Sequence, residues 1–238
     1  MIKVTGALLN IETSLRDGGG EEVLVSDALS HALRVQPLER RLSFAMKRLI
    51  DLGVSIGLLF VFMPVMTLVA FLIWADSGGP VFYTQSRWGL RRKPFTIYKF
   101  RTLKTGNPDP CERYETVETD PRITKVGGVL RKTSLDEFPQ LFNVVLGDMS
   151  LVGPRPLVEW ESVEADQDYG ERYQVKPGVT GLTQVSGRNA LSWAERLELD
   201  VVYVSRWSLW LDLMILLRTP FAVLQFDNVY PMPKHSRK

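Results

Sequence analysis

The longest unbroken apolar pattern is LGVSIGLLFVFMPVMTLVAFLIW, residues 52–74, with no charged position. As a helix it is long enough to cross a hydrocarbon core of about 30 Å. A soluble helix of this length would show a polar stripe at helical spacing, and none is present, so the run predicts a membrane helix. Pro64 lies near its middle and removes one i→i−4 hydrogen bond, which predicts a bend. Lys47 and Arg48 precede the run. After it, no acid occurs from Ser77 to Pro108, while Arg87, Arg91, Arg92, Lys93, Lys99, Arg101 and Lys104 accumulate. Basic flanks favour the cytoplasmic side. With both flanks basic, the pattern predicts a re-entrant helix broken at Pro64, in preference to a kinked span.

Alternating β-formers in VFYTQ (81–85) and FTIYKF (95–100) predict two short strands around WGLRRK, a small β-hairpin. Its basic face is either a solvated surface or a seat for anionic headgroups and phosphates. Leu135, Phe138, Leu141, Phe142 and Val145 recur at helical spacing, with Ser134 as N-cap, Glu137 completing a capping box and Gly147 as the stop. YQVKPGVTGLTQVSGRN (173–189) reads as a loop with one short strand. WSLWLDLMILLRTPFAVLQF (207–226) is too short in its uncharged run to span, and its tryptophans and interrupting charges suit an interfacial helix bent at Pro220. A soluble core helix is the plain alternative. The elements give an α+β fold, mainly helical.

The ends and one insert carry less pattern. Residues 1–44 read as a mobile extension, with the apolar run too far in for a signal peptide. NPDPCERYETVETDP (107–121) is an acidic, proline-rich surface loop. The expected organisation is therefore 1–44 extension, 45–75 membrane helix, 76–230 catalytic domain with interfacial helices, and 231–238 tail. A net charge of +2 indicates no general attraction to nucleic acid. The single cysteine, Cys111, cannot form an internal disulfide, so nothing points to an oxidising compartment.

The candidate chemistry lies in LRKTSLDEFPQ (130–140). Asp136 and Glu137 are fully accounted for as the anionic first turn of a helix. Three features favour more. Arg131 and Lys132 stand beside a helix N-terminus, a setting for phosphate. A carboxylate there can ligate Mg²⁺. The helix runs into GPRP (153–156), a rigid turn that presents Arg155.

KRLIDLGVS, MPVM, YKFRTL, LRKTSLDEFPQLFNVVLGDMSLVGPRP and YQVKPGVTGLTQVSGRN, in this order from about Met46 to about Phe226, resemble the bacterial sugar transferases that act as monotopic polyprenyl-phosphate phosphoglycosyl transferases. The resemblance implies transfer of a sugar 1-phosphate from a UDP-sugar to undecaprenyl phosphate, with release of UMP, at the cytoplasmic face of a bacterial inner membrane. Exopolysaccharide, capsule, O-antigen or glycoconjugate synthesis would begin with that step. It implies Asp136 as a covalent nucleophile and Glu137 as its partner in metal binding or phosphate positioning, with Mg²⁺ as cofactor. Arg131 and Arg155 would bind phosphate. Lys99, Arg101, Lys176 and Arg188 are further substrate-binding candidates, with turn duty the alternative for the last two. Lys47, Arg48 and Pro64 would meet the membrane, the two bases either steering the lipid phosphate or only setting topology. Many relatives place a serine before the proline break. Met63 stands there instead, which removes a hydroxyl from that spot. The short extension implies the small form of the enzyme, with membrane lipids as partners, no nucleic acid, and homo-oligomerisation left open.

Two readings from other classes compete. One is a membrane-anchored binding or regulatory protein with a basic lipid-facing surface. The other is a diphosphate hydrolase, disfavoured because His31 and His235 both lie in terminal segments.

Overall fold

A computed structural model describes residues 37–104, 120–187 and 190–224. The chain divides into two compact units, residues 1–46 and 47–238. Residues 1–36 of the expected extension, most of the acidic loop and the tail lie outside the described residues, as does Arg188, whereas 37–44, expected as extension, already belong to a helix.

Helix α1, Pro37–Ser77, contains the whole apolar run with Pro64 inside it. Helical structure continues through Pro64, so the proline lies within one element and does not separate two. Proline has no N–H for the carbonyl four residues back. One turn later Thr67 Oγ1 donates to Met63 O at 2.9 Å, a backbone bond of the kind that bends helices. Only 11 % of the most apolar window of α1 is buried in the protein, unlike a soluble core helix, and α1 is long and apolar enough to cross a membrane.

Strands β1, Phe82–Trp88, and β2, Pro94–Phe100, form the expected antiparallel hairpin, with Phe82 opposite Phe100 and Trp88 opposite Pro94. The turn between them, Leu90–Arg92, puts two non-glycine residues at positive φ, Arg91 at 53° and Arg92 at 58°. Such left-handed geometry is costly away from glycine, and Arg92 gains a ring contact, its guanidinium carbon 5.2 Å from the Tyr173 centroid.

Helix α2, Lys125–Thr133, was not foreshadowed by the apolar spacing because two of its nine residues are glycines. Gly127 is required by close approach: a Cβ there would lie 2.1 Å from Thr102 O. A short 3-10 turn, Leu135–Glu137, leads to helix α3, Gln140–Leu146, which Gly147 stops at φ 98° as expected. Strand β3, Ser150–Val152, pairs in parallel with β4, Gly178–Thr180. Helices α4 (Glu159–Asp168), α5 (Leu182–Ser186), α6 (Trp193–Ser205) and α7 (Leu209–Leu224) complete the described chain. The fold is α+β and mainly helical.

The core gathers Ile97 of β2, Leu141 and Val144 of α3, Met149, Leu151 and Val152 around β3, Tyr203 of α6 and Ile215 of α7. Fully burying one aliphatic side chain of this kind contributes about 1.5–3 kcal/mol. Asn143 is wholly buried within it. Its side-chain amide accepts from Tyr98 N at 3.0 Å and donates to Thr96 O at 2.7 Å, so it completes the free edge of β2 as a neighbouring strand would.

The second unit grips α1 at both ends. Near the start, Asp51 accepts from Ser150 Oγ and Leu151 N. Arg48 donates to Val144 O at 2.6 Å and Val145 O at 3.0 Å, capping the C-terminus of α3. Lys47 Nζ reaches Asp212 at 2.6 Å and Val152 O at 3.1 Å. At the far end Asp76 accepts from Val126 N, and Arg101 donates to Ser77 Oγ at 2.8 Å and to Gly78 O. Midway, the Phe62 and Phe138 rings meet edge to face at 4.8 Å.

Asp212 also accepts from Tyr203 Oη at 2.7 Å and Trp207 Nε1 at 3.1 Å. Removing one partner of such a buried pair costs about 3–5 kcal/mol, because the other charge is left uncompensated. Asp212→Ala should therefore lower the melting temperature strongly, whereas Leu213→Ala on the exposed face of the same helix should not. The exposed side chains of α7, Trp210, Leu213, Leu217, Phe221 and Leu224, follow one helical stripe and form the apolar face expected of an interfacial helix.

Candidate active site

The acidic pair occupies the junction of α2 and α3. Ser134 is left-handed at φ 56°, ψ 17° and closes α2, its N–H donating to Arg131 O. Its side chain caps nothing, so the predicted capping box is absent. The physical reason is Pro139. Without an N–H it cannot bond the carbonyl of Leu135, four residues back, and that carbonyl accepts from Phe138 N instead. The predicted helix from Ser134 becomes a tight turn carrying both acids, followed by α3. A simple helix start no longer accounts for Asp136 and Glu137.

Glu137 Oε1 accepts from Lys99 Nζ at 2.7 Å and from both terminal nitrogens of Arg155 at 3.3 and 3.4 Å. Asp136 has no hydrogen bond or ion pair among the described residues, although Glu137, Lys99, Arg131 and Arg155 all act on it electrostatically. Burial, and then the charge of Glu137, push Asp136 up to about 6, against the pull of Lys99, Arg131 and Arg155. Burial also works to raise Glu137, but the charges of Lys99 and Arg155 overturn it and hold that carboxyl well below the usual range. Lys99 is itself lowered, because its burial outweighs the attraction of Glu137. One carboxylate is thus neutralised by two cations, while its neighbour is left half-buried and unpaired.

Lys99 is held by β2, and Arg155 by the turn after β3. Arg131 lies in the last turn of α2, where its Nε donates to Thr102 Oγ1 at 2.9 Å. These three cations converge on the acids. The other candidates do not join them. Arg101 is buried and clamps the end of α1, so its predicted contact with substrate gives way to a structural bond. Lys47 and Arg48 face inward onto Asp212 and α3, not outward to a lipid phosphate. Lys176 lies beside Arg48 and Gly147, at the opposite end of α3 from the acids, with its ammonium lowered by burial and by Arg48.

Two arginines, the buried Arg172 and the half-buried Arg87, were missed by the spacing. Arg172 bonds Asp200 at 2.6 Å and Arg155 O at 2.7 Å. Arg87 donates to Pro156 O at 3.1 Å. The only sequence signal for either was a charge within a β or loop pattern, and their partners are far away in sequence.

No cluster of three or more histidine, cysteine or acidic side chains that could hold a metal occurs among the described residues. All contacts to Glu137 fall on Oε1, leaving its Oε2 and both oxygens of Asp136 without a hydrogen bond there. Two neighbouring open carboxylates fit Mg²⁺, which keeps several waters and takes its remaining ligands from substrate phosphates.

A paired and an unpaired acid ringed by Lys99, Arg131 and Arg155 suit a phosphate-handling site. The model of the family described as bacterial sugar transferase matches residues 42–226. The chain belongs to that family. A bacterial sugar transferase is an enzyme, which sets aside the purely binding reading of the basic hairpin. The uncharacterized sugar transferase EpsL of Bacillus subtilis is 44% identical over 184 residues, covering 77% of this chain and 90% of that protein. Undecaprenyl-phosphate galactose phosphotransferase of Salmonella typhimurium is 43% identical over 213 residues, covering 83% of this transferase and 44% of its own length. Undecaprenyl-phosphate glucose phosphotransferase of Komagataeibacter xylinus is 42% identical over 184 residues, covering 73% of this transferase and 35% of its own length. The transferase therefore spans less than half the length of the latter two relatives.

Proposed function

We propose that this transferase moves a sugar 1-phosphate from a UDP-sugar to undecaprenyl phosphate in two displacements on Asp136, as an early membrane step in making an exopolysaccharide or a related glycoconjugate. The relatives named as undecaprenyl-phosphate galactose and glucose phosphotransferases support the substrate class. The observation that carries the mechanism is the unpaired Asp136 carboxylate beside a neutralised Glu137 and three cations.

In the first step an Asp136 oxygen attacks the sugar-bearing phosphorus. The bond from that phosphorus to the bridging oxygen breaks, and UMP leaves with the electron pair. In the second step an oxygen of undecaprenyl phosphate attacks the same phosphorus and returns the carboxylate. Dividing one displacement into two is the general use of a covalent nucleophile. An anion attacking a diphosphate needs its charge masked. Arg131, Arg155 and Lys99 are placed to do this, and their pull opposes the burial that raises Asp136. Mg²⁺, held by Asp136 and Glu137 Oε2, would neutralise diphosphate charge.

The grip on both ends of α1 supports the re-entrant topology, since one folded unit holds residues 47–51 and residues 76–77. On this reading the unit lies on one side of the membrane, so both ends do, and the basic flanks favour the cytoplasmic side of a bacterial inner membrane. Tags at either terminus should stay protected from an impermeant reagent in intact cells. Labelling of one end would sink this topology.

Intact-mass spectrometry of the enzyme incubated with a UDP-sugar alone tests the chemistry. A glycosyl phosphate adduct should appear on the peptide containing Asp136, with one UMP released per adduct. Turnover with undecaprenyl phosphate but no adduct in its absence would overturn the two-step route.

A further inference from the structure

We infer that Arg172, anchored by Asp200 and Thr183, is a positioning residue that fixes the backbone beneath Arg155. The inference rests on the reading of Arg155 as a donor-phosphate group. Gly153-Pro154-Arg155-Pro156 has two prolines and so lacks two of its own backbone donors. Its carbonyls, and those flanking it, are held from outside instead. Val152 O accepts from Lys47 Nζ and Tyr203 Oη, each at 3.1 Å. Pro154 O accepts from Gly178 N at 2.9 Å, and Leu157 O from Trp88 N at 3.0 Å. Pro156 O accepts from Arg87 at 3.1 Å. Arg155 O, on the residue that reaches Glu137, accepts from Arg172 Nη2 at 2.7 Å.

The same nitrogen of Arg172 reaches Asp200 Oδ2 at 2.6 Å, and Asp200 Oδ1 accepts from Thr183 Oγ1 at 2.8 Å. Arg172 and Asp200 are each only 3 % exposed. A buried ion pair is a poor source of net stability, because desolvation offsets its attraction. What this pair supplies is direction: a planar guanidinium joins α6 to a single carbonyl of the turn. Arg172 touches no acid of the site and acts only through Arg155. A lysine would keep the charge opposite Asp200 but would replace the rigid planar guanidinium with a single ammonium on a flexible stem.

The test is a double-mutant cycle on the full chain in nanodiscs, read as UMP release with undecaprenyl phosphate and as melting temperature. Arg155→Ala should cripple turnover. Arg172→Lys should lower kcat about tenfold while the donor KM changes by less than about threefold, since a looser Arg155 is lost mainly where charge moves in the transition state. In the Arg155→Ala background, Arg172→Lys should change kcat by less than about twofold. A tenfold loss that persists in that background, or wild-type kcat in Arg172→Lys, overturns the inference. An active Arg155→Ala overturns the underlying reading of Arg155 itself. If Arg172→Lys fails to fold, Thr183→Val enters the same cycle: a loss in kcat that vanishes without Arg155 supports the inference, and either no loss or an undiminished one overturns it.

Discussion

Asp136→Asn should abolish turnover, by about a thousandfold or more, while making the protein more stable at neutral pH. On the proposed route the loss follows from removing the attacking oxygen. The gain follows from Asp136 standing at about 6 against an ordinary value of 3.8. A carboxyl raised by folding favours the native state while protonated. That contribution is complete below about 3.8 and is lost as pH rises through about 6. Above pH 6 the wild type therefore carries a buried charge that asparagine does not. Partial exposure tempers the effect, leaving it on the order of 2 kcal/mol. Melting curves of the two proteins should coincide near pH 4 and separate by pH 7, with the variant higher. An inactive variant that melts lower at pH 7 would show that Asp136 is a structural carboxylate.

Glu137→Gln should act in the opposite direction on stability. Lys99 and Arg155 would face a neutral amide, and Lys99, the less exposed of the two, suffers more. The cost is about 2–3 kcal/mol at neutral pH. Because folding holds Glu137 below its ordinary value of 4.5, this stabilisation is present above that pH and fades as pH falls below it. Turnover should drop on the order of a hundredfold, as the cations lose the partner that orients them. The pH profile gives a second readout. With Glu137 in place, the kcat/KM of the wild type should rise with an apparent value near 6, reporting Asp136 in the free enzyme. Glu137 is one of the causes raising Asp136, so the variant's rising limb should move to lower pH. An unmoved limb would mean that the two carboxyls do not interact.

The sequence disclosed the elements whose pattern is local. An uncharged apolar run made α1 legible, alternation made the hairpin legible, and Gly147 marked the end of α3. The acids were legible as a pair, but their surroundings were not. Pro139 converts the expected helix start into a tight turn by removing one N–H, and the periodicity of Leu135, Phe138 and Leu141 is the same in both geometries. Lys99 meets Glu137 across 38 positions, and Arg172 meets Asp200 across 28. No spacing rule reaches so far. The same limit explains why the inward contacts of Lys47, Arg48 and Arg101 were not legible: sequence reading gives the first two as either steering a lipid phosphate or only setting topology, and Arg101 as a substrate contact. Each is a base in a basic stretch, yet each turns inward to an acceptor on a distant element, beside the apolar packing of Val69 and Ile73 that also fastens α1.

The contact of Phe62 with Phe138 has a further consequence. Phe138 directly follows the acid pair, and Phe62 belongs to the apolar run of α1, the helix proposed to lie in lipid. On the proposed route the height of the attacking oxygen relative to the acyl chains is then tied to α1 by this aromatic joint together with the clamps near its two ends. Lipid thickness becomes a kinetic variable. Reconstitution in short-tailed or long-tailed phospholipids should change the rate of the step that consumes the polyprenyl substrate, and leave the rate of UMP release in the first half-reaction nearly the same.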